Sequence, residues 1–192
     1  MAQIFGNYID ADLRDREYLT IGFSPSSIPL QQRWRNNGLS ADFLADYLST
    51  FFPGEDAATV ERTAEIKDAV SFIANELLEN AMKFSYFPSH HSISITMQLE
   101  ANSVNFYVRN CVAPQAVEGF QRFIQKLLQE DPADLYMEQL TDNIETEKGN
   151  NASGLGFLTM LNDYNAVLAW KFETTHEHPE LTVVTTMVRL VV

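Results

Sequence analysis

The sequence predicts an α+β fold in which helices cover one face of a mixed β-sheet. Apolar residues alternate over 93–99 and again over 104–108, which indicates two β-strands. Residues 181–191 are nearly continuous Val and Thr, as in a central strand. One long segment instead has apolar residues at steps of three and four, the spacing of a helix with one buried face: Ile66, Val70, Ile73, Leu77, Ala81 and Phe84.

The remaining elements follow one another without internal repeats or an obvious linker. We therefore expect a single domain over 1–192, with an N-terminal extension over 1–56 and a core over 57–192. Ser40 is the expected N-cap of a helix in the extension, and Asp56 that of the long helix. The predicted helices lie at about 41–52, 57–85, 114–129 and 132–144, and the predicted strands at 18–23, 93–99, 104–108, 166–173 and 181–191.

Composition and charge argue against several classes of protein. Thirteen basic and 26 acidic residues give a formal net charge of −13, so we expect neither nucleic acid nor an anionic membrane as a partner. No stretch approaches the ~20 apolar residues of a membrane span, and the N-terminus lacks the features of a secretory signal. Cys111 is the only cysteine, which fits a reducing compartment. A cytoplasmic protein is therefore expected.

Three polar residues lie along one border of the apolar stripe of the long helix. At about 100° per residue, Asn80 falls roughly 60° from the core direction, and Glu76 and Lys83 roughly 100° or more on the same side. Glu79 points away. A carboxylate and an amide oxygen can hold Mg²⁺ or its water, and a lysine can bind phosphate. The same spacing also suits a solvated helix edge with a Glu76–Asn80 contact.

A second segment, over residues 149–158, reads Gly-Asn-Asn-Ala-Ser-Gly-Leu-Gly-Phe-Leu and leads into an apolar helical run. Glycines let the backbone approach a ligand closely, and the free amides at a helix start attract phosphate. An ordinary glycine-containing loop before a helix would have the same pattern. The segment therefore indicates a phosphate site only in combination with the polar border of the long helix.

The two segments, in this order and about 75 residues apart, resemble motifs of the GHKL ATPase superfamily, which includes histidine kinases, gyrase, Hsp90, MutL and anti-sigma-factor kinases. Glu76, Asn80 and Lys83 resemble its N box, and Ser153-Gly154-Leu155-Gly156 resembles its second glycine box. The resemblance covers roughly 57–192. It is strongest to the small stand-alone kinases of bacterial partner-switching systems, in particular SiaB-like proteins.

The resemblance implies a GHKL-type two-layer α/β sandwich, with helices on one face of a mixed, mostly antiparallel sheet and a helical ATP lid over about 114–153. It also implies roles for single residues. Glu76 would be the catalytic base, Asn80 would ligate Mg²⁺, and Lys83 would approach the phosphates of ATP. The amides near Gly154, Leu155 and Gly156 would cradle those phosphates.

The chain departs from the family pattern at the first glycine box. Asn110 stands where the family's adenine-reading Asp belongs, and both glycines that should follow it are missing. An Asn can still accept a hydrogen bond from an adenine amino group, but without the charge. In the second box, Ala152 replaces the first glycine. On the final strand, Thr185 or Thr186 would lie against adenine, with strand propensity as the alternative explanation of both.

Two functions therefore remain open from the sequence. The first is an ATP- and Mg²⁺-dependent Ser/Thr protein kinase of the partner-switching type, which phosphorylates a small STAS-domain protein. The alternative is a degenerate GHKL binding module that regulates by docking to a protein, with weak or no ATP binding. The missing first glycine box favours the second function, and either one is compatible with a homodimer.

Overall fold

The computed structural model describes residues 2–24, 30–52, 57–145, 154–175 and 181–192. Within these ranges it contains five α-helices and six β-strands, which confirms the predicted α+β class. The strands are β1 (Ala2–Phe5), β2 (Tyr18–Phe23), β3 (Ile93–Glu100), β4 (Ser103–Val112), β5 (Val167–Thr174) and β6 (Thr182–Val191). The helices are α1 (Leu30–Ser49), α2 (Ala57–Phe84), α3 (Pro114–Gln129), α4 (Pro132–Glu145) and α5 (Leu155–Asn162).

The six strands form one sheet in the order β1-β5-β6-β4-β3-β2. Each neighbouring pair among these described strands is antiparallel, so the prediction of a mixed sheet is wrong and only its antiparallel part is confirmed. The reason is the connectivity: β3–β4 and β5–β6 are hairpins, and β6 then joins β4 in the antiparallel sense. The central pair β4–β6 is matched over ten residues, from Ser103↔Val191 to Val112↔Thr182.

The helices pack on one face of the sheet, which gives the two-layer arrangement. The inward-facing side chains of β4 and β6 alternate with outward-facing ones, as the pleat of a strand requires. The inward set joins α1, α2, α3 and α5 in the main core. On the outer face, Tyr107, Ala169 and Met187 form a second small cluster against Tyr8. The central strands are therefore buried on both faces.

Helix α2 was predicted over 57–85 and runs from Ala57 to Phe84, so this prediction is confirmed. Helix α1 was predicted to begin after an N-cap at Ser40, which is wrong. The helix begins at Leu30 and continues through Gly38. The Ser40 hydroxyl donates to the carbonyl oxygen of Asn36 at 2.7 Å, as serines inside a helix often do. Packing of α1 along α2 overrides the local cap signal.

The N-terminal residues supply both edge strands of the sheet, since β1 pairs with β5 and β2 pairs with β3. Strand β2 was predicted at 18–23 and is confirmed, whereas β1 was not predicted. The connection between them crosses the outer face, where Gln98 Nε2 donates to the Asp12 carbonyl at 2.7 Å. Lys171 Nζ lies 2.9 Å from a carboxylate oxygen of Asp10 on the same face. No helix in the described ranges is long and apolar enough to span a membrane.

Candidate functional site

A cavity of about 380 Å³ lies between the helical layer and the inner face of the central strands. Helices α2, α3 and α5 form one side of it, and β4 and β6 form the other. Most of its walls are apolar, and none of the described residues that line it carries a charge. The lining residues are Leu77, Asn80, Ala81, Phe84, Val108, Asn110, Val112, Ala116, Phe120, Phe123, Gly154, Phe157 and Thr186.

Three side chains supply the polar groups of this cavity: Asn80 from α2, Asn110 from β4 and Thr186 from β6. Asn110 and Thr186 are each only 7% exposed. No side-chain hydrogen bond between described residues involves any of the three. Because these groups face the cavity, water or a ligand with hydrogen-bonding atoms can bind to them there.

Glu76 lies one helical turn before Asn80 on α2, half-buried, and does not line the cavity. Its carboxylate packs against the first turn of α5: a Cβ added at Gly156 would overlap an oxygen of Glu76 and lie 2.9 Å from Cδ. Burial, followed by the negative charge of Glu79, raises the pKa of the Glu76 carboxyl. A raised pKa is typical of carboxylates that take up protons during catalysis.

Gly154 lines the cavity immediately before α5 and has φ +104°. Side chains other than glycine rarely adopt this conformation. A Cβ here would also lie 2.7 Å from Cζ of Phe123 on α3. Leu155 and Gly156 begin α5 and do not line the cavity.

The predicted ATP lid is described only in part. Helix α3 contributes Ala116, Phe120 and Phe123 to the cavity, so the described first part of the predicted lid lies against the site. Helix α4 packs beside α5, where Asn162 Nδ2 donates to the carbonyl oxygen of Pro132 at 3.2 Å. The rest of the predicted lid, over 146–153, lies outside the described residues together with Ala152 and Ser153 of the second glycine box.

Besides Glu76, Leu155 and Gly156, two further predicted site residues do not line the cavity. The Lys83 side chain is exposed, and its Nζ lies 5.3 Å from the centroid of the Phe84 ring. Thr185 faces the outer side of the sheet, beside Tyr8, and cannot reach a ligand in the cavity. Its neighbour Thr186 lines the cavity instead, because successive residues of a strand point to opposite faces of the sheet.

The aromatic wall of the cavity was not predicted as part of a site. Phe123 and Phe157 lie with ring centroids 6.4 Å apart, and Phe157 contacts Trp170 edge-on at 5.7 Å. Phe120 contacts Phe172 on β5 at 5.7 Å. The apolar periodicity of α3 indicates that Phe120 and Phe123 face the core, but it does not show that a cavity remains beside them.

Comparisons with known proteins do not identify the chain: no family model matches it, and no curated protein gives a significant match. Functional assignment therefore depends on the residues of the cavity. No group of three or more His, Cys, Asp or Glu residues in the described ranges could hold a metal ion. A magnesium ion here would depend on Asn80, water and the phosphates of a bound ligand, in place of the one or two carboxylates that usually hold Mg²⁺.

Proposed function

We propose that this protein is an ATP- and Mg²⁺-dependent Ser/Thr kinase of the partner-switching type, with a small STAS-domain protein as its substrate. The observation that carries the proposal is the cavity between α2, α3, α5 and the central strands. Asn80, Asn110 and Gly154 all line it, which supports a site of the GHKL type.

The cavity suits a purine base in size and lining. Small-molecule sites range over about 300–1,000 Å³ and combine apolar walls with a few convergent polar groups. Phe120 and Phe157 offer aromatic surface to a flat ring. Asn110 and Thr186 offer hydrogen bonds at a depth where neither has another partner among the described residues. These are the features that support nucleotide binding.

The phosphate side of the proposed site lies toward α5 and Glu76. The amides at the start of α5 would receive phosphate oxygens, and Asn80 would ligate Mg²⁺. Lys83 would have to turn away from Phe84 to reach a phosphate. Its side chain is exposed and flexible, so this movement is sterically open.

Glu76 is the proposed base. In the transfer step, the hydroxyl oxygen of the substrate bonds to the γ-phosphorus, ADP leaves, and Glu76 takes the hydroxyl proton. Such transfer depends on positioning and charge neutralisation more than on covalent chemistry by the protein. Burial of Glu76 raises its pKa toward the working pH and so makes the carboxylate a better proton acceptor.

Calorimetric titration with Mg·ATP and Mg·ADP tests the binding step. We expect Asn80→Ala to abolish binding and Thr186→Val to weaken it about 3- to 10-fold, the value of one neutral hydrogen bond. Thr185→Val is the matched control, because it makes the same change one residue away on the other face of the sheet. Binding that is absent in the wild type, or equally weakened by both threonine variants, would refute the assignment.

The chemical step is tested with radiolabelled ATP and a panel of STAS-domain proteins. Glu76→Gln preserves shape but removes basicity, so we expect it to abolish transfer while Mg·ATP still binds. Glu79→Gln is the comparison: it removes a charge that raises the pKa of Glu76 but leaves the proposed base in place, so transfer should persist. Transfer at the wild-type rate by Glu76→Gln would remove Glu76 from the mechanism.

A second function, protein docking without nucleotide, is favoured by one observation: the described lining of the cavity carries no charge, and Lys83 faces away. Hydrogen exchange separates the two functions. The kinase predicts that Mg·ATP protects the amides of α3, which lies against the cavity. The docking module predicts no nucleotide effect and protection only when a protein partner is added.

A further inference from the structure

The polar groups that face the cavity share one chemical property. Asn80 and Asn110 carry amides, and Thr186 carries a hydroxyl, so each can donate or accept a hydrogen bond. None of the described lining residues is a carboxylate, which would only accept hydrogen bonds, or a cation, which would only donate them. The side chains of the described lining residues therefore impose no fixed donor or acceptor pattern on the ligand.

Asn110 is the member of this set best placed to choose between ligands. It is 7% exposed and lies on β4 between Val108 and Val112, which line the cavity on either side of it. No side-chain hydrogen bond to another described residue fixes which end of its amide faces the ligand. A half-turn about the last side-chain torsion exchanges oxygen and nitrogen, and this torsion has two nearly equivalent positions.

We infer that Asn110 contacts the 6-substituent of a purine nucleotide and accepts a 6-amino and a 6-oxo purine with similar affinity. The inference rests on the proposed nucleotide site. With a 6-amino group the Asn110 oxygen accepts, and with a 6-oxo group the Asn110 nitrogen donates. Thr186 adjusts in the same way through rotation of its hydroxyl. The protein would then use ATP and ITP alike, and GTP wherever the cavity has room for the 2-amino group.

Titration with Mg·ATP and Mg·ITP tests this directly, because the two nucleotides differ only at position 6 and in the proton on N1. The wild type should bind both with dissociation constants within about threefold of each other. Asn110→Asp leaves only acceptors and adds a charge, so ITP should weaken roughly 10- to 100-fold relative to ATP. A wild type that prefers either nucleotide tenfold would overturn the inference, as would Asn110→Asp with an unchanged ratio or a preference for ITP.

Two further variants guard against an effect of folding alone. Asn105→Asp places the same charge on the same strand but on its outer face, where Asn105 is 5% exposed. It should lower the melting temperature without changing the ATP-to-ITP ratio. Asn110→Val removes the contact without adding charge and should weaken both nucleotides equally. Unequal weakening would contradict the proposed contact.

The result also separates this inference from the proposed function. If the wild type binds neither nucleotide, both fail together. If it binds ATP with Mg²⁺ dependence and rejects ITP, nucleotide binding stands and only the relaxed choice at position 6 is refuted.

Discussion

Replacing Gly156 by alanine tests the contact between α5 and the Glu76 carboxylate. The new methyl group would overlap a Glu76 oxygen and lie 2.9 Å from Cδ and 3.1 Å from Cγ. Glu76 must therefore rotate away, at about 0.5–1.5 kcal/mol if the new position is off-rotamer. Alanine in a helix stabilises by up to about 1 kcal/mol relative to glycine. These effects nearly cancel, so the free energy of unfolding of Gly156→Ala should stay close to the wild-type value.

Two comparisons isolate the contact. Gly119 lies inside α3, and a Cβ there would meet nothing within 4 Å, so Gly119→Ala should gain the full value of about 1 kcal/mol. In a Glu76→Ala background the obstacle is gone, and Gly156→Ala should gain a similar amount. Urea denaturation of the four proteins of this cycle gives the coupling energy, expected near 1 kcal/mol. For a domain of this size that corresponds to about 2–4 °C in melting temperature.

The outcome that refutes the reasoning is equal stabilisation by Gly156→Ala in both backgrounds, because the carboxylate would then not occupy the space beside α5. Transfer activity gives an independent readout. A displaced carboxylate should reduce phosphorylation of the protein substrate in Gly156→Ala while Mg·ATP affinity is preserved. Loss of both together would indicate that the first turn of α5 itself is deformed.

Two predictions concern stability alone. Because the pKa of Glu76 is raised in the folded state, the folded protein binds the carboxyl proton more tightly than the unfolded chain does. The free energy of unfolding of the wild type should therefore fall as pH rises from the ordinary pKa of 4.5 through the raised value. Glu76→Gln should therefore match the wild-type melting temperature near pH 4 and exceed it at pH 7, and a pH-independent difference would contradict this. Asn37 is 1% exposed, and neither polar atom of its amide has a hydrogen-bond partner among the residues that the structure describes. In urea denaturation, Asn37→Ala should therefore stabilise the protein by about 0.5–1 kcal/mol more than Asn36→Ala does. Asn36→Ala is the control because it shares only the gain in helix propensity. An equal or smaller gain from Asn37→Ala would show that the Asn37 amide has hydrogen-bond partners.

The sequence predicts which side chains lie at the cavity only where the apolar residues of an element define a single buried face. The apolar stripe of α2 has a clear centre, and it correctly places Asn80 at the border of the core, where the cavity lies. Strand β6 has no such pattern because it is buried on both faces. The choice between Thr185 and Thr186 therefore depends on pairing: Val108 and Thr186 are directly opposite and share the inner face.

The errors in the fold have a similar origin. Ser40 is a good cap residue, but the packing of α1 against α2 continues past it, and non-local contacts decide where the helix begins. Strand β1 has four residues and pairs with β5, more than 160 positions away. Nothing within Ala2–Phe5 distinguishes it from a terminal loop. The pairing direction of β4 and β6 likewise follows from the order of the hairpins rather than from either strand.

The residues of the candidate site differ in whether folding alone explains their presence. Gly154 is required by its backbone conformation and by the Phe123 ring, whereas an alanine at Gly156 would only displace the Glu76 carboxylate. Gly154 would be needed for folding even in a protein that had lost nucleotide binding, so it does not separate a kinase from a docking module. Asn110 is different, because its amide is buried beside an apolar cavity with no structural hydrogen bond among the described residues. An amide at this position can hydrogen-bond to a ligand in the cavity, which packing alone does not require. The choice between the two functions therefore depends on Asn110 and Asn80, and the nucleotide titrations are aimed at these residues for that reason.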